Sequence, residues 1–102
     1  MQINIESIGK TAVLQLEGDF VFNSNKALRD ACVTVFANAS TELVQLELSQ
    51  VSYLDSSALG MMLLMKEKAG KTGKSLQIKG AQGYVLQVLE VAKFDQMFEL
   101  RH

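Results

Sequence analysis

Asp55, Ser56 and Ser57 place a carboxylate directly before two hydroxyls, the combination in this sequence with the clearest capacity for chemistry. They lie inside Val51-Ser-Tyr-Leu-Asp-Ser-Ser-Ala-Leu-Gly-Met-Met-Leu-Leu64, between an apolar strand-like run and a helical pattern. Read as an N-cap, Asp55 accepts hydrogen bonds from the free amides of the first turn, and Leu54 and Leu59 occupy the two positions of a hydrophobic staple. Ser56 and Ser57 are then the first helical residues, at a strand-to-helix turn that belongs on the surface. The positive end of the helix dipole and its unpaired amides would accept a phosphate on such a hydroxyl without unfolding the chain. The letters alone favour the plainer reading, a helix cap with no chemistry attached.

Other suggestive residues carry less. Gly73-Lys74-Ser75 invites comparison with a phosphate-binding loop, but Lys68 stands where the earlier glycine is required, and the context runs from helix to strand, the reverse of the required one. A solvated basic turn is the expectation there. His102 is the single histidine and the last residue, read as solvated and idle. Cys32, the single cysteine, cannot form an internal disulfide, and Ala31 and Val33 beside it offer nothing to a metal. Asn38-Ala39-Ser40 reads as the end of a helix. No nucleophile, base and oxyanion set can be assembled and no metal-ligand spacing occurs, so the expectation is a non-enzyme without a cofactor.

The elements that must position Ser56 follow from periodicity. Gln2 to Ile8 and Thr11 to Glu17 alternate around Gly9-Lys10, which predicts a hairpin. Ala27, Leu28, Ala31, Cys32, Val35 and Phe36 recur at helical spacing within Ser24 to Ala39, with Ser24 as the expected N-cap. A strand at Leu43 to Leu48, a helix from Ser56 to about Gly70, a strand at Ser75 to Lys79, a helix carrying Val85, Val88, Leu89 and Ala92 inward, and a short strand around Met97 to Leu100 complete the order ββαβαβαβ. Strands separated by helices need crossovers, so the fold class is α/β. One domain over residues 1–102 is expected, with a mixed, mostly parallel sheet of four to five strands and helices packed against it.

Bulk properties narrow the partners. A chain of 102 residues with net charge −1 and interleaved acids and bases has no extended cationic surface for nucleic acid. The opening residues lack a signal-peptide pattern, and the longest apolar run, Met61 to Met65, is too short to span a bilayer, so a cytoplasmic protein without membrane insertion is expected. That same run covers more of a helix than one core-facing stripe needs. Core packing accounts for most of it, with Met61 and Met65 as candidate members of a partner surface that starts at Ser56. Val21 and Phe22 are either buried or form the apolar edge of that surface.

Three stretches resemble the STAS domain of the stand-alone bacterial anti-sigma factor antagonist family: Gly18-Asp19-Phe20, Leu54-Asp-Ser-Ser-Ala-Leu-Gly60, and Val88-Leu-Glu-Val-Ala-Lys-Phe-Asp-Gln-Met-Phe-Glu-Leu100. The resemblance spans essentially the whole chain. It implies phosphorylation of Ser56, with Asp55, Ser57, Asp19, Val21 and Phe22 supporting the site or forming the partner surface. The implied partners are proteins: a serine kinase or anti-sigma factor, or a related switch protein, released on phosphorylation, and a phosphatase that restores binding. Two departures stand out. Val21 and Phe22 replace the family's aspartate region, which bears on partner identity, and Ala58 replaces a common glycine, a mild change that favours helix. The same resemblance admits an accessory subunit of an ABC-type lipid transporter, or a partner switch whose output is biofilm, motility or second-messenger control.

Overall fold

Alternation of apolar side chains, the signal that marks the opening hairpin, also organises the sheet built on it. The computed structural model describes residues 1–101, so the reading of His102 lies outside the described residues. Strands β1 (Gln2–Ile8) and β2 (Thr11–Phe20) pair antiparallel around Gly9-Lys10, with Gly9 at φ 61°, a left-handed conformation that glycine adopts freely. A 3-10 turn, Phe22–Ser24, leads into α1 (Asn25–Ala37), followed by β3 (Leu43–Leu54), α2 (Ser56–Lys71), β4 (Ser75–Lys79), α3 (Gly83–Val91), the single turn α4 (Phe94–Met97) and β5 (Glu99–Arg101). The five strands lie in sequence order, and every pair after the first is parallel. This is the mixed, mostly parallel α/β sheet that the sequence predicts.

Pairing register aligns Leu14, Leu46, Ile78 and Leu100 in one row across β2 to β5. The first three are fully buried and join Leu28, Cys32 and Phe36 of α1, Met62 of α2 and Leu89 of α3 in one core. The alternate row is polar: Gln45 Nε2 donates to Gln77 Oε1 at 2.9 Å, and Gln77 Nε2 donates to Glu99 Oε2 at 2.6 Å. The core therefore sits on the helix-bearing side of the sheet.

Several element bounds differ from the periodic reading. β2 continues to Phe20 and β3 to Leu54, because two register shifts, one at Gly18 with φ 105°, keep Asp19 opposite Tyr53 and Phe20 opposite Leu54. Such irregularities break the alternation by which a strand is read, while its pairing persists. Ser24 does not cap α1 with its side chain; its hydroxyl is turned back to donate to the Asp19 carbonyl at 2.9 Å. The last strand starts at Glu99, since Met97 closes a helical turn in which the Phe94 and Phe98 rings stack at 4.9 Å. Lys74 is more than a solvated basic residue: its Nζ donates to the carbonyls of Asn38 and Thr41, just past the C-terminus of α1, at 3.0 and 2.9 Å.

Gly80, between β4 and α3, has φ 77°, and a Cβ there would run into the Glu47 carboxylate and stand 3.1 Å from Ser49 Cβ. That carboxylate is itself held by the Ser49 amide at 2.8 Å. Gly80→Ala should therefore lose about 1 to 3 kcal/mol in urea unfolding with an unchanged m-value. Wild-type stability in that variant would show that the neighbours relax freely.

Candidate functional site

β3 passes into α2 through one residue. Asp55 keeps an extended backbone (φ −111°, ψ −177°), and the helix starts at Ser56. The Asp55 Oδ1 atom accepts from Ala58 N at 3.1 Å and from Ser57 Oγ at 2.6 Å, while Oδ2 accepts from Phe22 N at 3.3 Å. Its own amide donates to the Phe20 carbonyl at 3.3 Å. One side chain thus caps α2 and ties it to the connection between β2 and α1. The Ser57 hydroxyl, against a partial desolvation that acts the other way, and then the amides of Ala58 and Phe22 hold the Asp55 carboxyl below its ordinary value of 3.8.

The two serines differ in what their hydroxyls do. Ser57 is half-buried and its hydroxyl is committed to Asp55, whereas Ser56 is exposed and its Oγ makes no hydrogen bond among the described residues. Ser56 occupies the first position of a 16-residue helix, where the dipole and free amides favour an added negative charge.

The carboxyl ends of β2 and β3 bring Asp19, Val21, Phe22, Asp55, Ser56 and Ser57 together. Asp19 is exposed at the end of β2, Val21 is half-buried, and Phe22 is 72% exposed, so Phe22 forms the apolar edge of this corner. Met61 and Met65 do not join it. They are 6% and 2% exposed and belong mainly to the core, and what little surface they keep lines the hollow between α1 and α2. With α2 starting at Ser56, steps of 100° turn Met61, Met62 and Met65 inward and leave Leu63 and Leu64 exposed. Sequence reasoning also missed Tyr53 and Tyr84, exposed rings stacked at 5.7 Å with planes 4° apart. The missed extension of β3 was the one signal for Tyr53; Tyr84 reaches it only through tertiary packing.

Among the described residues no group of three or more His, Cys, Asp or Glu is arranged to hold a metal, and no helix is long and apolar enough to cross a membrane. Cys32 is buried, and burial pushes its thiol up to about 11 against the opposing pull of Lys68.

One family model, described as Mlab, STAS domain, matches residues 3–101 and so spans the whole fold. The chain belongs to the STAS domain family. A STAS-domain containing protein of Pseudomonas aeruginosa (strain UCBPP-PA14) is 32% identical over 92 residues, covering 90% of this chain and 89% of that one. An anti-sigma factor antagonist from Mycobacterium paratuberculosis superposes with TM-score 0.86 at 23% identity, over 98% of this chain and 84% of its own. SpoIIAA, a Bacillus anti-sigma factor antagonist solved unphosphorylated and phosphorylated, superposes with TM-score 0.74 in both forms. Identities are 15% and 14%, with 99% and 97% of this chain and 87% and 90% of those chains covered. At such identities the likeness is one of fold, and it places the Asp55 corner on a STAS scaffold.

Asp55→Ala should fold but melt at a lower temperature, because Ala58 N, Ser57 Oγ and Phe22 N lose a shared acceptor. The carboxyl is depressed in the folded state, so its contribution is complete above about the ordinary 3.8 and is lost as pH falls through the lower folded value. Melts from about pH 6 to about pH 2 should show wild type losing stability more steeply than Asp55→Asn across the acid end of that range. Superimposable acid profiles would mean the carboxylate is not held as described.

Proposed function

We propose that this STAS protein is a partner switch controlled by phosphorylation of Ser56. The observation that carries the reading is the contrast between neighbouring serines, one hydroxyl held by Asp55 and the other exposed and uncommitted at the start of α2. A protein partner, a serine kinase acting as an anti-sigma factor or a related switch protein, binds the unmodified corner formed by Asp19, Val21, Phe22 and Asp55. The kinase transfers the γ-phosphoryl group of ATP to Ser56 Oγ, releasing ADP and the hydroxyl proton, and a phosphatase hydrolyses the ester to restore the binding form. In this cycle the chain is substrate and ligand and performs no catalysis of its own, in a cytoplasmic setting. The fold shared with SpoIIAA, known in both phosphorylation states, supports the scheme. Whether the output is a sigma factor, biofilm or motility depends on the partner and leaves the switch unchanged.

The magnitudes suffice. Phosphate adds roughly −1.5 to −2 charges beside Asp55 at pH 7. An uncompensated charge in a buried interface costs about 3 to 5 kcal/mol, which at about 1.4 kcal/mol per tenfold lowers affinity by hundreds- to thousands-fold.

Incubation with the cognate kinase and ATP should add one phosphate, which peptide mapping assigns to Ser56; modification confined to Ser57 would end the assignment. Ser56→Ala should melt normally and hold the partner permanently. Ser56→Asp should also fold, since an acid in the first turn stabilises a helix by roughly 0.3 to 1 kcal/mol, but should bind more weakly in calorimetric titration. Two variants that both bind like wild type would reduce Ser56 to a helix-start residue.

A further inference from the structure

Helices α1 and α2 pack against each other and leave a groove of about 760 Å³ along their outer side. Phe36, Met61 and Met65 line its floor, and Val33 and Leu64, each 61% exposed, stand at its edges. Toward the start of α2 it continues, past the shared Lys26, Arg29, Met61 and Leu64, into a hollow that adds Phe22, whose amide is held by Asp55. Three exposed apolar side chains, Phe22, Val33 and Leu64, thus border one channel that ends at the Ser56 corner. Clustered apolar exposure of this kind marks a binding surface more than a solvated one.

The rim gives the partner's sign. Lys26 pairs with Asp30 and Lys71 with Glu67, both at 3.1 Å, while Arg29 and Lys68 make no ion pair among the described residues. Four cations against two acids leave two positive charges on this groove, in a chain whose net charge is −1. The groove is partly open to solvent. An amphipathic helix suits that shape, because it sets one apolar stripe into a groove and keeps its far side in water. A lone acyl chain, which needs most of its surface covered, would be left half bare.

We propose that the α1–α2 groove receives an amphipathic helix of the protein partner, apolar along the contacting stripe and acidic beside it. The inference rests on the reading of the protein as a partner switch and names the chemistry of what is switched. Leucine-like side chains at helical spacing would meet Val33, Met61 and Leu64, and flanking carboxylates would meet Arg29 and Lys68. The same charge rule sets a phosphate on Ser56, at the Phe22 end of the channel, against an acidic occupant.

The test titrates isotope-labelled, unmodified full chain with two helical peptides of about four turns that share one leucine stripe, flanked by glutamates in one and lysines in the other. Sodium dodecanoate serves as the lipid-like probe. The acidic peptide should shift the amide signals of Arg29, Val33, Leu64 and Lys68 and bind about tenfold more tightly than its basic isomer. Leu64→Asp should lose that binding, and Lys68→Glu should remove the preference for acid, both with unchanged melting. Equal or absent binding of the two peptides, shifts confined to another surface, or shifts with dodecanoate alone would overturn the proposal. Ser56 chemistry plays no part in this titration, so a negative result beside successful Ser56 phosphorylation removes the groove and leaves the switch.

Discussion

The Asp55 carboxylate accepts from Ala58 N, Ser57 Oγ and Phe22 N, and most of the functional geometry depends on that triple contact. Hydrogen bonds to an ionised acceptor are stronger than neutral ones, and here two of them satisfy backbone amides at a helix start and in the neighbouring connection. They also define where α2 begins. A start displaced by one residue would rotate the helix by about 100°, carrying Met61, Met62 and Met65 away from the sheet. The residue that frames the candidate phosphorylation site therefore also sets the phase of the core-facing helix.

The sheet supplies the rigidity behind this contact. β2 and β3 stay paired through two register shifts up to Phe20 and Leu54, so the connection bearing Phe22 and the start of α2 are anchored to adjacent strands. Ser56 thus projects from a scaffold whose packing does not depend on its hydroxyl. In the proposed switch, a charge added there would alter what the surface attracts while leaving the packed scaffold in place.

The proposed recognition and control would then fall on adjoining features. The groove between α1 and α2 offers apolar area and two cations without an ion pair among the described residues, while the Ser56 corner at its end offers an exposed hydroxyl beside a fixed carboxylate. Affinity can reside in the first and regulation in the second. Val21 and Phe22 join the two: Phe22 is bonded through its backbone to Asp55 and presents its ring to solvent at the groove's mouth.

Local letters determined the element order, the α/β class, the hairpin at Gly9-Lys10, the cap at Asp55 and the helix start at Ser56, because each rests on periodicity or on contacts within a few residues. The resemblance of Leu54 to Gly60 to a STAS motif placed the candidate site on the turn between β3 and α2. Tertiary structure alone decided the rest. It distinguished the Ser56 hydroxyl from that of Ser57 by where Asp55 points, and it sent Met61 and Met65 inward while leaving Leu64 exposed. It also stacked Tyr53 on Tyr84, which lie 31 positions apart in the sequence. Lys74 reads as a solvated turn residue until α1 ends within reach of its amine, and β3 reads as six residues until bulged pairing with β2 carries it to twelve. Hydrophobic pattern records which side chains avoid water along one element; which element covers them, and which polar group meets which, follows only from how the elements pack.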